Sequence, residues 1–142
     1  MHSSVRPVFA VAVIAFLASC RDVTAPKTIA EAKTLWQSQN LSAYNYTAGH
    51  ACYCAFETSG PVTVDVAEGR VTRVTSLITG AEISTNGWYT IDELFEQLLF
   101  TNGQPPSVQF DTRLGYPRRI ERCCLANDSG SIYTASGLAP AN

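Results

Sequence analysis

The hydrophobic pattern predicts a helix first and then a sheet. Residues 28–39 open with a capping box, in which Thr28 is the N-cap and Glu31 follows three residues later. Apolar residues then recur on one helical face, at Ile29, Ala32, Leu35 and Trp36. From Tyr44 the period changes to two, which is typical of a strand with one buried face.

Three strands are predicted to follow this helix as an antiparallel meander. The inward face of the first strand carries Tyr44, Tyr46, Ala48, His50, Cys52, Cys54 and Phe56. The alternation returns at Val62, Val64 and Val66. Glu68 and Gly69 then form a tight turn into a third strand over 71–78.

The second half of the chain repeats the order of a helix and three strands. A second capping box joins Thr90 to Glu93, and an amphipathic stripe follows at Ile91, Leu94, Phe95, Leu98 and Leu99. Short strands are expected around Val108 and Ile120 and, more weakly, over 132–136, with a frayed tail from residue 137.

These elements predict an α+β fold of order αβββ-αβββ, with both helices packed on one face of an antiparallel sheet. Ile29 and Ile91 are 62 positions apart (91 − 29), as are Tyr46 and Val108 (108 − 46). The matching offsets favour a weak internal duplication.

Residues 1–19 read as a lipoprotein signal peptide. Arg6 gives the start a positive charge, and an uncharged apolar run over 7–18 is too short to span a bilayer as a helix. The run ends in Leu17-Ala18-Ser19-Cys20, which resembles the bacterial lipobox. We therefore expect lipid on Cys20, including palmitate, and attachment of the exported chain to the cell membrane or the outer membrane.

The mature chain has the size of one domain. Residues 20–27 are interpreted as the acylated cysteine and its tether, and 28–142 as a single α+β domain. Without Arg6, nine of the ten basic side chains remain against twelve acidic ones. This balance argues against nucleic-acid binding, which favours a basic face.

Apart from Cys20, the cysteines come in two close pairs. These are Cys52 with Cys54 and Cys123 with Cys124. An even number of cysteines in an exported domain predicts disulfides, and we favour bridges from the first pair to the second because bridges within a pair require strained rings. The alternative is a metal or redox centre that uses His50, Cys52 and Cys54 with Cys123 or Cys124.

The remaining polar groups suggest no catalytic machinery. His50 is the only histidine of the mature domain, and no nucleophile motif accompanies it. Asp92 and Glu93 lie where a helix N-terminus favours negative charge, so we interpret them as capping residues. A cluster of arginines around the Gly115 turn is a possible interaction patch or a solvated sheet edge: Arg113, Arg118, Arg119 and Arg122.

An ordered set of short motifs spans most of the domain: Trp36, Tyr44, Cys52-Tyr53-Cys54, Val64-Asp65-Val66, Gly69-Arg70-Val71, Thr90 to Phe95, Phe110-Asp111 and Gly115-Tyr116-Pro117. Together they resemble a family of bacterial secreted and lipid-anchored proteins known as domain of unknown function 6174. The pattern departs from the family in the last strands, where Cys123-Cys124 is followed by Asn127-Asp128 instead of acidic residues. The resemblance supports the predicted fold and the predicted location in the cell envelope. It implies no activity, cofactor or partner.

The expected function is therefore a non-catalytic, lipid-anchored envelope module without a cofactor. Its partners would be the membrane, through Cys20, and an envelope protein or other ligand. Two alternatives remain open, namely a thiol-based metal or redox protein and an inhibitor of an envelope enzyme.

Overall fold

In the computed structural model, residues 25–51, 60–99, 105–122 and 130–141 are described. The elements are α1 (Ile29–Gln37), β1 (Ala43–Ala51), β2 (Val62–Ala67), β3 (Arg70–Ser76), β4 (Glu82–Ile83), α2 (Ile91–Leu99), β5 (Ser107–Phe110), β6 (Pro117–Arg122) and β7 (Ser131–Pro140). Within these residues, two helices and a seven-stranded antiparallel sheet confirm the α+β class, with the sheet as the larger part.

Both predicted capping boxes are formed. The Thr28 hydroxyl accepts from the Glu31 amide at 3.1 Å, and the Glu31 carboxylate accepts from the Thr28 amide at 3.2 Å. At α2 the corresponding distances between Thr90 and Glu93 are 3.1 Å and 2.7 Å. Each box satisfies two backbone donors that a helix start leaves unpaired, so both helices begin where the sequence predicts.

The strands lie in the order β4-β3-β2-β1-β7-β6-β5. β1, β2 and β3 form the predicted antiparallel meander. β7 was expected to be the weakest strand, yet it lies in the middle of the sheet between β1 and β6. It continues to Pro140, so the expectation of a frayed tail from residue 137 is wrong for the residues described there.

An irregularity explains why the pattern of β7 was hard to read. The β1–β7 register shifts between the pairs Asn45–Ala139 and Thr47–Ser136. Gly137 lies in this shift with a φ of 63°, a conformation that glycine adopts readily. The extra residue returns Leu138 to the buried face after Ala135, which breaks the strict period of two.

The predicted αβββ-αβββ order is not confirmed, because β4 pairs with β3 before α2 begins. The internal duplication is not confirmed either. β1, the first strand of the first half, lies in the centre of the sheet, whereas β5, the first strand of the second half, lies at an edge.

The core lies between the sheet and the helices. Its strand residues follow the predicted alternation and include Tyr44, Tyr46, Ala48, Val62, Val64, Val66, Val74, Ile120 and Tyr133. From α1, Trp36 packs edge-on against Tyr44 with ring centroids 5.3 Å apart. From α2, Phe95 stacks on Phe110 at 6.2 Å.

Two polar contacts join the helices. Lys33 forms a 2.7 Å ion pair with Glu96, and the Trp36 indole donates to Asp92 at 3.2 Å. Glu93 caps α2 as predicted, through its bond to the Thr90 amide. Asp92, also interpreted as a capping residue, instead accepts from the Trp36 indole.

No helix in the described ranges is long and apolar enough to cross a membrane. The predicted signal peptide and all five cysteines lie outside these ranges.

Candidate functional site

A cavity of about 340 Å³ opens between α2 and one end of the sheet. It lies where β1 and β6 end and β7 begins. Its lining consists of His50, Tyr89, Leu94, Gln97, Ile120, Arg122, Ser131 and Tyr133. This volume falls in the range of small-molecule sites, about 300–1,000 Å³.

Strand register brings residues from distant parts of the chain to this cavity. Tyr133 on β7 pairs with His50 on one side and with Ile120 on the other. Two residues earlier on β7, Ser131 pairs with Arg122. Side chains two residues apart on a strand share a face, so this one end of the sheet presents aromatic, apolar and charged groups together.

Aromatic rings form one wall of the cavity. The Tyr133 ring lies in the middle, with its centroid 5.7 Å from His50 and 5.7 Å from Tyr89. Leu94 from α2 and Ile120 from β6 add apolar surface. Both of these aliphatic side chains are almost fully buried.

Buried tyrosine hydroxyls fix the start of α2 to the sheet. The Tyr46 hydroxyl donates to the carbonyl of Tyr89 and lies 3.0 Å from the Tyr133 hydroxyl. The Tyr44 hydroxyl accepts from the Ile91 amide at 2.9 Å, which satisfies a further donor at the helix start. These bonds hold the backbone beside Tyr89 and thereby position one side of the cavity.

The buried tyrosines stay protonated at neutral pH. Burial, as the largest cause, raises the pKa of Tyr133 to about 12. Burial also raises the pKa of Tyr46 well above its ordinary value, and the neighbouring Tyr133 raises it further. Tyr133 therefore offers the cavity a neutral, polar ring.

Arg122 brings a positive charge to the cavity. Its guanidinium donates to the carbonyl of Gln97 in the last turn of α2. Burial and then the charge of Arg122 lower the pKa of His50 below its ordinary 6.5. His50 is therefore a neutral imidazole at neutral pH, and it can donate from one ring nitrogen and accept at the other.

The structure does not bring the four predicted arginines onto one surface. Arg113 lies in the turn before Gly115, and Arg118 is exposed beside an irregularity in the β5–β6 pairing. Arg119 faces away from the helices and forms a 3.2 Å ion pair with Glu121. Of the four, Arg122 lines the cavity. Arg119 does not, because successive residues on a strand point to opposite faces.

The cysteine predictions fall outside the described residues and remain predictions. Within the described part of the chain, no group of three or more His, Cys, Asp or Glu side chains could hold a metal ion. β1 and β6 flank β7 and end at the same end of the sheet, where Ala51 and Glu121 both pair with Ile132. Cys52 follows Ala51 in sequence, and Cys123 follows Arg122.

His50 and Arg122 were predicted as candidate residues, but no pattern in the sequence placed them together. Tyr89, Gln97 and Ser131, which also line the cavity, were not predicted. Tyr89 precedes Thr90, the N-cap of α2, Gln97 lies on α2, and Ser131 begins β7. None of these positions belongs to a sequence motif that would mark it as a site residue. Their shared location follows from strand order, which local periodicity does not encode.

Comparison with protein families gives one match. A model described as a family of unknown function, DUF6174, matches residues 28–139. The chain belongs to this family. No curated protein and no solved structure matches it.

The DUF6174 match begins at the N-cap of α1 and ends within β7, so it spans every lining residue of the cavity. The resemblance drawn from the motifs of the sequence is confirmed at the level of the family. Because the family's function is unknown, it assigns no role to any residue.

Proposed function

We propose that this DUF6174 chain is a lipid-anchored binding module of the cell envelope, which holds a ligand in the cavity beside α2 without making or breaking a bond. The observation that carries the proposal is the cavity itself. Its walls combine apolar surface from Leu94, Ile120 and the tyrosine rings with a few polar groups. Ligand sites commonly have this composition, in which apolar surface supplies affinity and polar groups fix orientation.

The protonation states of two lining groups, Tyr133 and Arg122, support binding. Tyr133 has a pKa of about 12, and an arginine does not lose its proton in a protein. Neither group exchanges protons readily at neutral pH, whereas general acid–base catalysis favours a pKa near the working pH. Tyr133 and Arg122 are therefore suited to hydrogen bonding and charge recognition.

The lipid anchor is supported by the sequence of residues 1–20 and by the short distance along the chain from Cys20 to the start of α1. Cys20 lies eight positions before Thr28, the N-cap of α1 (28 − 20). A fully extended chain reaches about 3.5 Å per residue, so this tether spans about 28 Å at most. Lipid on Cys20 would keep the cavity close to the membrane surface.

Site-specific photo-crosslinking in intact cells tests the binding function. A photoreactive phenylalanine derivative is placed at Ser131, on the cavity wall, and in a matched variant at Gln109, which is exposed on β5. We expect a discrete adduct at Ser131 that is absent at Gln109. Equal adducts at the two positions, or none at Ser131 in a folded chain, would contradict the proposal.

Labelling with radioactive palmitate tests lipid attachment at Cys20 separately. Wild-type chain should incorporate the label and fractionate with membranes, whereas Cys20→Ala should do neither, because the thiol is the proposed attachment point. Label retained by Cys20→Ala would show that the anchor is elsewhere.

A further inference from the structure

We infer that the ligand of this cavity carries a carboxylate next to an apolar group, and that Arg122 binds the carboxylate. The inference rests on the proposed binding function and names the chemistry that the site recognises.

Among the described residues of the lining, Arg122 carries the one formal charge, because His50 is neutral at neutral pH. It is half-buried, and no carboxylate of the described residues lies within 4.0 Å of it. A charge removed from water needs a partner of opposite sign or strong hydrogen bonds. A ligand anion supplies both.

The guanidinium of Arg122 carries five N–H donors. Among the described residues, the Gln97 carbonyl is the one acceptor that they contact. A planar carboxylate can take two parallel hydrogen bonds from such a fork, which is the strongest pairing open to an arginine. Ser131, paired with Arg122 across the β6–β7 ladder, adds a hydroxyl beside the same position.

The charge balance favours a carboxylate over a phosphate. One cation neutralises a monoanion, whereas a phosphate dianion would leave a net negative charge in a partly apolar cavity. A single negative charge is therefore the better match for Arg122.

The rest of the lining requires an apolar neighbour for that carboxylate. Leu94 and Ile120 are aliphatic, and the rings of Tyr89 and Tyr133, with centroids 5.7 Å apart, line the cavity beside them. Aromatic and aliphatic groups of a ligand would bury their surface here, at about 25 cal/mol per Å². The fitting class is a small aryl or branched alkyl acid, or the free C-terminus of a peptide that ends in an apolar residue.

Arg122 also has a structural role, which the experiment must separate from binding. Its donation to Gln97 satisfies a carbonyl in the last turn of α2, where positive charge is favourable. Arg122→Lys keeps the charge at the helix end and removes the planar fork. Arg122→Gln removes the charge altogether.

Calorimetric titration of the full chain in a non-ionic detergent provides the test, with 3-phenylpropionate and its uncharged amide as matched probes. We expect the acid to bind about tenfold more tightly than the amide, since hydrogen bonds to charged groups are the stronger ones. Arg122→Gln should abolish this preference for the acid over the amide, and Arg122→Lys should reduce it. The control Arg118→Gln, on the same strand but exposed, should bind both probes like wild type.

A second pair of probes separates the two sources of such a carboxylate. A short peptide that ends in a free phenylalanine carboxylate is compared with its C-terminally amidated form. A larger preference for the acid among the peptides indicates a peptide C-terminus, and a larger preference among the small probes indicates a free organic acid.

Each outcome bears on one of the two proposals. If acid and amide bind equally to wild type, the carboxylate inference falls and the binding function stands. If neither pair of probes binds at millimolar concentration, the carboxylate inference falls, and photo-crosslinking at Ser131 decides the binding function separately. Unfolding midpoints of all variants show whether a loss comes from unfolding, and Arg122→Lys replaces Arg122→Gln if the latter does not fold.

Discussion

Gly115 should be among the least replaceable residues of the domain. Its φ is 81°, in the left-handed region. A Cβ at this position would lie 2.5 Å from the Ala32 carbonyl oxygen, 3.0 Å from Leu35 Cβ and 3.0 Å from the Trp36 amide nitrogen. The turn before β6 therefore touches the backbone of α1, and Gly115→Ala would push the two apart.

The size of the effect follows from two contributions. A left-handed conformation costs a residue with a Cβ about 1–2 kcal/mol. Forcing extra atoms into a packed contact costs about 1–3 kcal/mol more, and the carbonyl and amide of a helix cannot rotate away as a side chain can. We expect Gly115→Ala to lower the free energy of unfolding by about 2–5 kcal/mol, a large share of the 5–15 kcal/mol typical of a domain.

Urea unfolding monitored by tryptophan fluorescence measures this loss, and Trp36 lies at the contact itself. Gly69→Ala is the matched control, because Gly69 has a φ of 71° and no atom within 4 Å of the added Cβ. The control should lose only the conformational part, about 1–2 kcal/mol. Equal losses in the two variants would refute the close approach of the Gly115 turn to α1.

Three further predictions concern the cysteines and the buried hydroxyls. Non-reducing peptide mass spectrometry should find bridges from the first cysteine pair (Cys52, Cys54) to the second (Cys123, Cys124), and four free thiols or stoichiometric zinc would contradict this. The raised pKa of Tyr133 stabilises the fold fully below its ordinary value of 10.0, and this stabilisation should be lost as the pH rises through about 12. Tyr133→Phe should weaken that alkaline dependence in unfolding experiments, and an unchanged profile would argue against burial of the hydroxyl. Tyr46→Phe should lower the free energy of unfolding, measured by urea denaturation, by about 1–3 kcal/mol, because it leaves the partly buried carbonyl of Tyr89 without its donor. A neutral result would mean that another donor replaces it.

Local rules account for the parts of the fold that the sequence determined by itself. A hydroxyl and a carboxylate three residues apart satisfy the same backbone amides wherever a helix begins, so Thr28–Glu31 and Thr90–Glu93 located both helices. Strict alternation of apolar residues likewise identified the buried face of β1 and β2, since side chains on a strand alternate between faces.

The candidate site needed the tertiary structure. The short pattern around Tyr133 looked weak because the shift at Gly137 breaks its period, although β7 lies between β1 and β6. Only that strand order places His50 and Arg122, 72 positions apart (122 − 50), beside the same tyrosine. Periodicity depends on neighbours a few residues away, whereas a cavity depends on which distant strands pair, and that choice is made by packing of the whole chain.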